Sequence, residues 1–172
     1  MNGISRTPRL VLIGLFVIGL LVAAAAPTEA NEVMLINVQT GKCLTIAGGM
    51  STENNVDAVQ FNCDNHPSRR WSLSETSAGS SQIRNVQTGK CLTIAGGMST
   101  DNNVTALQFN CDNHPSRRWN VSETSAGVSQ IRNVQTGKCL TIAGGVSTDN
   151  NVTAVQFNCD SHPSRTWRLR AR

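Results

Sequence analysis

The stretch Asn37-Val38-Gln39-Thr40-Gly41-Lys42-Cys43-Leu44-Thr45-Ile46-Ala47-Gly48-Gly49 decides the reading of this chain, because it returns unchanged at residues 85–97 and again at 133–145. Both offsets are 48 residues, and three landmarks keep the same step. Cys43, Cys91 and Cys139 correspond, as do Cys63, Cys111 and Cys159, and as do Trp71, Trp119 and Trp167. Self-similarity at a fixed period dictates architecture before any local propensity is weighed.

Within a copy the pattern is that of β-structure. Short runs of Val, Ile, Leu and Thr alternate with turn residues, and no helical apolar stripe is long enough to compete. In the first copy, strands are expected over residues 33–38, 42–46, 58–63 and 70–74, with a tight turn at Thr40-Gly41. Gly48-Gly49 through Asn54-Asn55 reads as a loop suited to positive φ, and Pro67 marks a second loop by being barred from a central strand. Repetition makes twelve strands. A module of this size buries too little apolar surface to be stable alone. Sharing one interior about a threefold axis solves this and removes exposed sheet edges. The expected fold is therefore all-β, a closed β-trefoil over residues 31–172, with copies near 35–82, 83–130 and 131–172. The first strand type stands near residue 34 and the fourth type near 169, so the two ends of the trefoil are expected to meet.

Residues 1–30 carry a different signal. Arg6 and Arg9 precede an apolar run from residue 10 to 26, followed by small residues and Thr28-Glu29-Ala30, the order of a secretory signal peptide cleaved before Asn31. Export without stable membrane insertion is expected, and the even set of six cysteines suits an oxidising compartment. The repeat makes within-copy pairing the simplest arrangement: Cys43–Cys63, Cys91–Cys111 and Cys139–Cys159. Zinc is the alternative, since Cys63-Asp64-Asn65-His66 has C-x-x-H spacing, but no fourth ligand is evident. No metal and no cofactor are expected. Beyond residue 30, 13 basic residues face 10 acidic ones and are spread evenly over the copies. That is not the concentrated basic face of a nucleic-acid binder.

The runs Thr-Gly-Lys-Cys-Leu-Thr-Ile-Ala-Gly-Gly, Val-Gln-Phe-Asn-Cys and Ser-Arg-Arg-Trp resemble the ricin B-chain-like lectins, over essentially residues 33–169. The resemblance implies a β-trefoil with up to three shallow sugar sites. It also marks departures. The family's sugar-contacting aspartate, two residues after the first cysteine, is replaced by Thr45, Thr93 and Thr141. A threonine hydroxyl accepts fewer hydrogen bonds than a carboxylate and carries no charge. The family's stacking aromatic corresponds to Phe61, Phe109 and Phe157. Its pocket glutamine stands four before the second cysteine, whereas Gln60, Gln108 and Gln156 stand three before. The glutamine of its Q-x-W triplet has become Arg69, Arg117 and Arg165.

Strand parity places Thr45 and Phe61 on the same side if Cys43 bonds Cys63. Phe61 then has two readings, a platform for a pyranose face or core filling beside Val59, while Trp71 reads as core. His66, His114 and His162 lie in loops beside the same positions, with Asp64 and Asn65 as turn formers and an Arg69–Asp64 ion pair as the structural alternative to sugar contact. The candidate carbohydrate contacts are thus Thr45, Phe61, His66 and Arg69, with Thr93, Phe109, His114 and Arg117, and Thr141, Phe157, His162 and Arg165. The expected function is that of a secreted, monomeric lectin with several sites for a glycan or cell-wall polysaccharide. A protein-binding or inhibitory trefoil is the alternative. Catalysis is not expected, because it needs one asymmetric constellation of acid, base or nucleophile and the histidines recur by symmetry.

Overall fold

A computed structural model describes residues 31–76 and 79–171; the signal-peptide expectation, on residues 1–30, lies outside them. Twelve strands appear among the described residues. The first copy supplies β1 (Asn31–Asn37), β2 (Cys43–Ile46), β3 (Val56–Phe61) and β4 (Arg70–Glu75). The second supplies β5 (Ser81–Asn85), β6 (Cys91–Ile94), β7 (Ala106–Phe109) and β8 (Trp119–Ser125). The third supplies β9 (Val128–Asn133), β10 (Cys139–Ile142), β11 (Ala154–Phe157) and β12 (Trp167–Ala171).

First and fourth strands close a six-stranded antiparallel ring, in the order β1-β4-β5-β8-β9-β12 and back to β1. Its closing seam pairs Val33 with Ala171 and Asn37 with Trp167, so the two ends meet as expected. Second and third strands form three hairpins that cap the ring, with Cys43 opposite Phe61 in the first. The third strands also touch one another across copies, through Val56 opposite Gln108 and through single bridges at Val59–Thr153 and Thr105–Val155. This is a β-trefoil.

The expected boundaries shift where local chemistry intervenes. Val38 leaves β1 because the chain turns there, with the Gly41 amide closing on Asn37 O at 2.9 Å and Gly41 at φ 68°. The third strand begins at Val56 rather than residue 58 and ends at Phe61 rather than 63, because its start is recruited by pairing with β7.

The interior is one cluster contributed equally by the copies: Trp71, Trp119 and Trp167 with Leu44, Leu92, Leu140 and Ile46, Ile94, Ile142. Each tryptophan is fully buried, and its Nε1–H donates to the carbonyl of Leu44, Leu92 or Leu140 at 2.9–3.0 Å. A buried indole with its only donor satisfied contributes its full apolar area without a desolvation penalty. All six cysteines are consumed in the three within-copy disulfides, which removes the sulfur ligands that the zinc alternative required.

Candidate functional site

Each copy makes the same polar cluster where its 3-10 turn (Pro67–Arg69, Pro115–Arg117 or Pro163–Arg165) packs behind its hairpin. The turn starts locally. Asp64 Oδ1 accepts the His66 amide at 2.9 Å, and His66 caps the turn by accepting the Ser68 amide on Nδ1 at 3.2 Å. The Ser68 hydroxyl lies 2.8 Å from the same nitrogen. Because Nδ1 accepts a backbone N–H, the proton of the neutral ring belongs on Nε2, leaving one outward donor on an exposed histidine.

Long-range bonds then fix the turn. Thr45, only 2% exposed, donates its hydroxyl toward Ser68 O at 3.0 Å and Ser68 Oγ at 3.1 Å. Thr93 and Thr141 do the same to Ser116 and Ser164. The threonine hydrogen is therefore used within the protein. Ser68 O also accepts from Asn85 Nδ2 of the next copy at 2.8 Å, and the pattern repeats cyclically in Asn133–Ser116 and Asn37–Ser164. Gly49 follows from this crowding: it sits at φ 72°, and a Cβ there would lie 3.1 Å from Ser68 Oγ.

Phe61 is half-buried and stands outside the central cluster. The Arg69 guanidinium lies over its ring, 4.4 Å from the centroid, and the same stack forms at Arg117–Phe109 and Arg165–Phe157. One ring face is thus taken by a cation–π contact. Arg69 Nε is also 3.3 Å from Asp64 Oδ1, near enough to attract but not aligned as a hydrogen bond. The ion pair weighed from sequence is present in all three copies.

Among the candidates, Thr45, Phe61 and Arg69 line one open depression beside Gly48-Gly49, and Thr93, Phe109, His114 and Arg117 line its counterpart. Thr141, Phe157, His162 and Arg165 line the third. His66 joins the first through Ser68 rather than as part of its wall.

Sequence reasoning missed residues that come from another copy. Gln60, Gln108 and Gln156 are completely buried and do not face the depressions. Gln108 Nε2 donates to Ser51 O at 2.8 Å and Glu53 O at 2.7 Å, latching the loop of copy 1 onto copy 2. Gln156 holds Ser99 O and Asp101 O, and Gln60 holds Ser147 O and Asp149 O. Their one-residue displacement from the family's pocket glutamine was the available signal, since a step of one turns a strand side chain to the opposite face.

The sequence pattern of the ricin-type β-trefoil lectin domain matches residues 31–167. The chain belongs to that family. Among solved structures it resembles a designed threefold-symmetric protein, ThreeFoil, at 19% identity and a TM-score of 0.76, covering 81% of this chain and 97% of that one. It resembles a Macrolepiota procera ricin B-like lectin in complex with lactose at 14% identity and a TM-score of 0.69, covering 86% and 100%. An exo-β-1,3-galactanase from Clostridium thermocellum matches at 22% identity and a TM-score of 0.79 over 86% of this chain, but the match spans only 31% of that enzyme. At these identities the structural likeness establishes the fold. Comparison with curated proteins returns no match.

Proposed function

We propose that this chain is an exported, monomeric carbohydrate-binding lectin with three equivalent shallow sites, each centred on the phenylalanine–arginine stack of one copy. The observation that carries the reading is the threefold recurrence, in the wall of an open depression, of a half-buried aromatic under a guanidinium, with a histidine in the wall of two of the three. The ring edge and guanidinium offer a flat, partly apolar surface, and the outward imidazole N–H offers a donor, which together suit a sugar's C–H face and its hydroxyls. Individually weak sites on one rigid scaffold gain avidity on a polyvalent glycan or cell-wall polysaccharide. Membership in a lectin family supports the same class of ligand.

The test is a glycan array probed with the chain from Asn31 onward, spanning neutral, uronic and sialic acid sugars and cell-wall polysaccharides. Binding is expected, together with its loss in the triple variant Phe61→Ala, Phe109→Ala, Phe157→Ala at unchanged far-UV circular dichroism. Silence across the whole array would refute the lectin reading. It would favour a protein-binding trefoil, for which the exposed Met50, Met98 and Val146 (64%, 66% and 66% exposed), one beside each depression, are the relevant feature. That mode would be indifferent to free sugars.

A further inference from the structure

We propose that every sugar site is built by two copies, and that Asn151, Asn55 and Asn103 supply the second wall of the sites in copies 1, 2 and 3 respectively. This assignment rests on the lectin reading above and names ligand-contacting residues that the family pattern does not provide.

The geometry is cyclic. Asn55, from copy 1, lines the depression that holds Phe109 and Arg117 of copy 2. Asn103, from copy 2, lines the one that holds Phe157 and Arg165 of copy 3. Asn151, from copy 3, lines the one that holds Phe61 and Arg69 of copy 1.

Each asparagine is held firmly in place. The Asn55 amide donates to Gln108 O at 2.9 Å, the Asn103 amide to Gln156 O at 2.9 Å and the Asn151 amide to Gln60 O at 2.8 Å. Just upstream, the buried glutamine of the same receiving strand binds two carbonyls of the incoming loop. The preceding asparagine is also employed: Asn54 Oδ1 accepts the Asn110 amide at 2.9 Å and Asn102 Oδ1 the Asn158 amide at 3.0 Å. In the third pair Asn150 Oδ1 accepts instead from Lys42 Nζ at 3.2 Å, so each first side chain grips the neighbouring copy while the second faces its depression. The carboxamides of Asn55, Asn103 and Asn151 make no hydrogen bond among the described residues, and all three residues are exposed. A carboxamide carries both an acceptor and two donors, the set that reads adjacent sugar hydroxyls. Backbone pairing on one side and a buried latch on the other fix the main chain from which it projects before the ligand arrives, which lowers the entropic penalty of binding.

A purely conformational explanation exists for asparagine here, since all three residues have φ 65°, where asparagine is among the few favoured non-glycine residues. Glycine separates the two explanations, because it keeps the backbone and removes the carboxamide. The intact chain and its Asn55→Gly variant are titrated calorimetrically with the free oligosaccharide that gives the strongest array signal. The expected result is one of three sites weakened about tenfold, the loss of a hydrogen-bonding pair, with an unchanged melting temperature.

Pairing of variants identifies which copy is served. Asn55→Gly added to Phe109→Ala is expected to cause no further loss, whereas added to Phe61→Ala it weakens a second site about tenfold. The proposal is overturned if Asn55→Gly leaves all three sites intact, or if it is redundant with Phe61→Ala instead. Failure of the unsubstituted chain to bind any glycan would refute the lectin reading itself, a result that no comparison among variants could mimic.

Discussion

Replacing Gln108 by alanine tests whether the copies are bound to one another by buried side chains rather than by strand pairing alone. Gln108 is completely buried, and its Nε2 donates to Ser51 O and Glu53 O of the preceding copy at 2.8 and 2.7 Å. Each bond contributes about 1 kcal/mol net, and the two lost methylene-sized groups add about 0.8 kcal/mol each. The variant should therefore lose about 3.5 kcal/mol, or about 10 °C in melting temperature at roughly 3 °C per kcal/mol. Equilibrium unfolding in guanidinium, with disulfides intact, measures the difference directly. The copies supply an internal standard. Gln156 makes the equivalent two bonds and also accepts the Thr136 hydroxyl on Oε1 at 2.8 Å, so Gln156→Ala should cost about 1 kcal/mol more. Gln108→Glu keeps the shape but turns an acceptor toward two carbonyls. Its buried carboxyl is expected to titrate above the usual carboxylate range, so this variant should be more stable at acid pH than at pH 7. A loss below about 1 kcal/mol for Gln108→Ala would refute the latch, because water would then be replacing the amide without penalty.

Two adjacent glycines should respond differently. Gly96 and Gly97 both have positive φ, so alanine at either costs about 1–2 kcal/mol. Only at Gly97 would the new Cβ crowd Ser116 Oγ, at 3.2 Å; Gly97→Ala should thus be the less stable in thermal melts and should also shift the His114 ring resonances, which Gly96→Ala should leave in place. Production in a host with N-glycosylation should block sites selectively. Asn103-Val104-Thr105 and Asn151-Val152-Thr153 are acceptor triplets at the walls of the copy 3 and copy 1 depressions, whereas Asn55 is followed by Val56-Asp57 and is not one. Glycopeptide mass spectrometry should find both asparagines modified, together with Asn120 of a third triplet, Asn120-Val121-Ser122, which lines none of the three depressions, and calorimetry should count one site in place of three. Three open sites on fully glycosylated protein would refute this placement.

The trefoil was legible in the chain because its evidence is repetition. A 13-residue identity at a constant step of 48, with two cysteines and one tryptophan per copy, leaves little freedom. Each of those features acts within one copy or at the shared axis, where symmetry makes three copies as informative as an alignment. Trp71 as core and Cys43–Cys63 as a bridge followed from pattern and spacing, and both are present. Phe61 was ambiguous for a physical reason: alternation in a short strand assigns a face, but whether that face is covered depends on the guanidinium that lies over it.

What tertiary structure alone decided is the division of labour between copies. Gln108 reaches carbonyls 55 and 57 residues away, and Gln60 reaches others 87 and 89 residues away across the closing seam. No periodicity of a single strand encodes which copy's loop will lie against which strand. That follows from closing the ring in one direction, so that copy 1 serves copy 2, copy 2 serves copy 3 and copy 3 serves copy 1. Local pattern determined the module and its covalent bridge; the sense of closure determined whose asparagine faces whose phenylalanine.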